Sequence, residues 1–65
     1  MLPVLATCSG GSCPTIYAGE DGDLLVQGYR TPETRQQVVI PAGEDIVRIP
    51  RSVLLEAAAR LTATP

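Results

Sequence analysis

The residues with the most chemistry to offer in this 65-residue chain are its two cysteines, Cys8 and Cys13. They enclose Ser9-Gly10-Gly11-Ser12, a spacer flexible enough to bring the two Cα atoms within the ~4.4 to 6.8 Å that a disulfide requires. Three states fit the pair. Reduced thiols are the rule in a cytoplasmic protein. A reversible intrachain bridge would staple the N-terminal arm to the first strand, worth on the order of 2 kcal/mol. A metal site is the third: two thiolates and no His cannot complete a tetrahedral zinc, so only a Cys₄ site shared between two chains would serve. No metal ligand or cofactor is therefore assigned. The spacing also departs from the C-x-x-C of thioredoxin-type redox sites.

Other reaction types lack their residues. Glu20, Asp21 and Asp23 cluster in a Gly-flanked turn, where carboxylates are solvated and not walled into a cleft. They do not supply the twelve-residue ligand set of a calcium loop. Nucleophilic triads are excluded for want of His, and Gly10-Gly11 lacks the Lys and helix start of a phosphate loop. The sequence reads as a protein that is not an enzyme. Seven acids against five Arg give a net charge of −2, which disfavours binding to nucleic-acid phosphates. The longest apolar runs are far short of a membrane span, and the start lacks the basic and apolar regions of an export signal. A cytoplasmic location with no membrane partner follows as the expectation.

The elements that must position these residues are short. Residues 1–12 read as an N-terminal arm with a Cys/Gly loop, and 13–65 as a single small α+β domain. Met1 to Leu5 suits an edge strand, since Pro3 cannot donate to a ladder. Thr15 to Ala18 reads as a strand, Gly19-Glu20-Asp21-Gly22 as a tight turn, and Asp23 to Tyr29 as the returning strand. Gly28 marks a bulge or a close backbone approach. Thr31-Pro32-Glu33 suits a capped helical turn or a plain loop. Val38-Val39-Ile40 is expected as a short strand stopped by Pro41, and Asp45 to Ile49 as the last strand.

From Arg51 the apolar period changes to 3.6, with Val53, Leu54, Ala57, Ala58 and Leu61 on one stripe. Pro50 fits the first helical turn, and Glu56 and Arg60 form a favourable i,i+4 pair. On this stripe Leu54 is a core residue whose truncation to Ala would cost ~2 to 5 kcal/mol. The expected fold is α+β: a small antiparallel β-sheet of three to four strands followed by one C-terminal helix.

Size and composition point to a partner. A compact monomer of this mass would expose about 4,000 Å². The chain has no Phe, Trp or Lys, so the large rings that anchor small cores are reduced to two Tyr. One helix covers one face of a sheet and leaves the other open. Tyr17, Leu25, Tyr29 and Val39 are the candidates for that second surface, joined by Leu55 and Ala59, which sit off the main helical stripe. A homodimer is expected through them.

Two local resemblances add to this reading. Ile49-Pro50-Arg51-Ser52-Val53-Leu54-Leu55 resembles the strand-to-helix turn of swapped-hairpin transcription factors of the antitoxin type. It implies a weak DNA-binding alternative through Arg48 and Arg51. Cys8 to Thr15, Leu25-Val26-Gln27-Gly28-Tyr29, Pro41-Ala42-Gly43-Glu44 and Val47-Arg48-Ile49-Pro50 together resemble small acidic actinomycete proteins, often encoded beside helix-turn-helix regulators. That likeness implies an accessory to a transcriptional regulator, a modulator or antitoxin-like partner. The thin core and the surplus apolar helix face point to a non-enzymatic interaction module, and the cysteine pair to a thiol-based redox or metal switch at Cys8/Cys13 as the alternative.

Overall fold

The computed structural model describes residues 2–8 and 13–63. Met1, the Ser9 to Ser12 spacer and the last two residues lie outside that range. The chain is an α+β fold: a three-stranded antiparallel sheet, a second two-stranded ladder and one C-terminal helix. The main sheet comprises β1 (Val4–Thr7), β2 (Thr15–Ala18) and β3 (Leu24–Gln27) in the order β1-β2-β3. Pro3 precedes β1 on an outer strand, as its missing N–H demands, and its carbonyl accepts the Ala18 N–H at 2.9 Å. The ladder between β1 and β2 is interrupted by a bulge between Val4 and Ala6.

The turn from β2 to β3 forms as its residues dictate. The Gly19 N–H donates to the Asp23 carbonyl at 2.8 Å, and the Asp23 N–H donates to Asp21 Oδ1 at 3.1 Å. Gly22 takes a φ of +91°, which a residue with a Cβ adopts only under strain.

Beyond β3 the expected long strand divides. Gly28 separates β3 from β4 (Tyr29–Arg30), and β4 pairs with β5 (Val47–Arg48) in the second ladder. The glycine marks a close approach: a Cβ there would sit 2.6 Å from the Arg48 carbonyl oxygen and 2.9 Å from Ile49 Cγ2. The last strand is confined to Val47 and Arg48, not Asp45 to Ile49. Between β4 and β5 the chain makes one turn of 3₁₀ helix, Thr34–Gln36. Thr31 does not cap it with its side chain. Its carbonyl accepts the Arg35 N–H at 3.0 Å, while its buried hydroxyl points to the Ile46 carbonyl at 3.5 Å. The expected strand at Val38-Val39-Ile40 does not form. β-propensity needs a neighbour to pair with. This segment lies on the surface, and Val39 is 95% exposed.

The helix α1 (Arg51–Thr62) opens after Pro50, whose φ of −64° and ψ of 143° place it just outside the helical region. Glu56 and Arg60 meet at 3.7 Å on its outer side. Only Val53 and Ala57 are buried, one turn apart on the line facing the sheet. Leu54, Ala58 and Leu61, expected on the inward stripe, are exposed. At ~100° per residue, Leu54 lies about 80° and Leu61 about 60° from the centre of the buried pair, and Ala58 about 120°. The contact is narrow because small residues make it. Ala6 of β1 and Ile16 of β2 oppose Val53 and Ala57, and Leu5 and Ile49 pack against their margin. Ile16 and Val53 are the largest side chains fully withdrawn from solvent.

Candidate functional site

Cys8 and Cys13 form a disulfide with their Cα atoms 5.5 Å apart. The bridge ties the end of β1 to the residues leading into β2, across the spacer that lies outside the described range. Beside it, Thr15 donates its hydroxyl to the Cys13 carbonyl at 3.0 Å, and the Thr7 and Thr15 hydroxyls lie 2.9 Å apart. Each hydroxyl has one proton and a carbonyl within reach, Cys13 for Thr15 and Pro14 for Thr7 at 3.4 Å, so either can donate across the pair. The hairpin is thus held by a covalent bond and a short polar chain.

The apolar surface is more extensive than the core. Among the described residues the buried hydrophobic set is Ala6, Ile16, Val53 and Ala57, while eleven large hydrophobic side chains are exposed. The expected interaction residues fall on separate faces. Tyr17 and Leu25 are cross-strand partners, so both project from the face opposite the helix. Tyr29 lies past Gly28 on β4, and Val39 lies on the long connection between the two short strands. Leu55 and Ala59 follow each other by one turn on the helix side directed away from the sheet, about 180° to 220° from the centre of the buried line.

Leu24 and Val26 were not singled out in the sequence, and they complete this surface. They share the helix-side face with Ile16 and Ala18, yet both are exposed, because α1 lies over β1 and β2. Strand β3 is therefore apolar on both faces and open on both. The sequence signal was the run Leu24-Leu25-Val26, which lacks the polar alternation of a half-buried strand.

Charges lie at the two ends of the strands. Glu20, Asp21 and Asp23 are all exposed on or beside the β2–β3 turn. The second ladder carries Arg30 and Arg48, and Arg51 opens the helix. Arg30, Thr31, Pro32, Arg35, Asp45 and their neighbours line a hollow of about 360 Å³. Arg35 is held there by an ion pair with Asp45, whose carboxylate also accepts the Ile46 N–H at 2.7 Å. Both partners of that pair are exposed, so it orders the loop at little energetic gain.

Among the described residues, no cluster of three or more His, Cys, Asp or Glu is placed to hold a metal ion. No helix among them is long and apolar enough to cross a membrane. No family model, curated protein or solved structure matches the chain.

Proposed function

We propose that this chain is a protein-interaction module that acts by binding and works as a homodimer, accessory to a regulatory protein. The observation that carries the reading is its surface area. The chain exposes 5289 Å². A compact monomer of 6.8 kDa would expose about 4,000 Å², so about 1,300 Å² is surplus. A standard protein interface takes about 800 Å² from each partner. The outline agrees: the radius of gyration is 13.1 Å against about 11 Å for a compact chain of this length. Among the described residues the core of Ala6, Ile16, Val53 and Ala57 is thin, and association would supply the burial that the single chain lacks.

Self-association uses part of that surface, and the outer face of α1 with Leu55 and Ala59 is assigned to the second partner. The class that the sequence resemblance implies for it is a helix-turn-helix regulator. Sedimentation equilibrium from low micromolar to near-millimolar protein tests the reading. A mass of twice 6.8 kDa is expected. A single-chain mass across that range would refute it.

A further inference from the structure

We propose that the outer edge of β3 is the dimer surface, where a second copy of this chain pairs antiparallel across a two-fold axis through Leu25. This rests on the homodimer reading and gives it a geometry. Ala18 directs its N–H to Pro3, toward β1. Its cross-strand partner Leu24 must then direct its own N–H and carbonyl away from β2, and by alternation so must Val26. Among the described residues, no hydrogen bond outside the β2 ladder reaches the backbone of Leu24–Gln27. Two donors and two acceptors thus face outward along an apolar strand.

The two edges of the sheet differ in how they are defended. β1 carries the bulge between Val4 and Ala6, which breaks the even spacing a new strand would need, and α1 packs over it. β3 has no bulge, no proline and no charged side chain within Leu24–Gln27, the devices that normally blunt an edge. Its Leu24, Leu25 and Val26 are exposed, Leu25 to 46%.

The register follows from self-complementarity. With the axis at Leu25, Leu24 of each copy faces Val26 of the other, and each such pair exchanges two N–H···O bonds. The two Leu25 side chains then meet as a non-hydrogen-bonded pair with Cα atoms about 4.5 Å apart, on the face that also carries Tyr17. The antiparallel arrangement directs the acidic turn of one copy, Glu20 to Asp23, toward the end of the other that bears Arg30 and Arg48. This opposition of charge occurs twice about the axis.

The test uses the full chain with its disulfide intact. Leu25→Lys and Leu25→Glu each place two like charges at the axis. Each alone should weaken dimerisation at least tenfold by sedimentation, with an unchanged far-ultraviolet circular dichroism spectrum. Mixing the two should restore a dimer that weakens as salt rises. In parallel, mild oxidation of Leu25→Cys should yield a covalent dimer far faster than Val39→Cys. If the wild type is a dimer, and the charged variants dimerise as well as it does or Leu25→Cys links no faster than Val39→Cys, the edge is not the interface and the homodimer reading stands. A wild type that stays monomeric ends both. Should a charged variant lose its fold, the cross-linking comparison decides alone.

Discussion

Val53→Ala is expected to destabilise this protein more than Leu54→Ala, although it removes less of the side chain. Val53 is 2% exposed and belongs to the buried cluster with Ala6, Ile16 and Ala57, so its two lost methyl groups leave water-free contacts with nothing to replace them. At ~0.8 kcal/mol per buried carbon the transfer loss is about 1.6 kcal/mol, and a residual void raises it to about 2 to 3 kcal/mol. Leu54 is 52% exposed, so truncating its three outer carbons should cost only about 1 kcal/mol. For a domain of this size each kcal/mol moves Tm by ~4 to 8 °C, which separates the two variants clearly. Thermal melts followed by circular dichroism, at one fixed protein concentration, make the comparison, because the proposed association would also contribute to the apparent Tm. A Leu54→Ala variant that melts at or below Val53→Ala would refute the placement of α1.

Other perturbations follow from the same contacts. Replacing Cys8 and Cys13 together by Ser opens the short loop and should lower unfolding free energy by about 2 kcal/mol in denaturant titrations, with reduction of the wild type doing the same. Gly28→Ala should cost about 1 to 3 kcal/mol, since its methyl group would sit 2.6 Å from the Arg48 carbonyl; amide exchange should show the β4–β5 ladder loosening first. Thr15→Val should cost about 1 kcal/mol, because the buried hydroxyl links Thr7 to the Cys13 carbonyl and the methyl cannot. Asp45→Ala should change stability by less than about 1 kcal/mol, the pair with Arg35 being exposed on both sides.

Where the sequence carried local chemistry, it predicted structure well. The β2–β3 turn follows from Asp21 and Gly22, whose side-chain acceptor and positive φ are properties of those residues alone. The α+β class and the helix from Arg51 follow from the change of apolar period. The inward line of the helix was harder to read. Val53, Leu54, Leu55, Ala57, Ala58 and Ala59 are all apolar, so the pattern offers several stripes with little contrast between them. What selects Val53 and Ala57 is the shape of the surface below, made by Ala6 and Ile16. Val38 to Ile40 has strand-forming residues with no strand beside it, a matter of long-range placement. The candidate surface shows the same division. Leu25 and Tyr17 were visible as one face of a strand pair, but the exposure of Leu24 and Val26 depends on which strands the helix covers.

The bulge on β1 also bears on how far assembly can proceed. A sheet with two receptive borders can add copy after copy and grow into a fibril. Here one border is spoiled, so under the proposed pairing a copy joined along β3 would offer no second site of the same kind. Growth would then end at two chains, and a chain whose kink at Val4 and Ala6 were straightened would lose that stop.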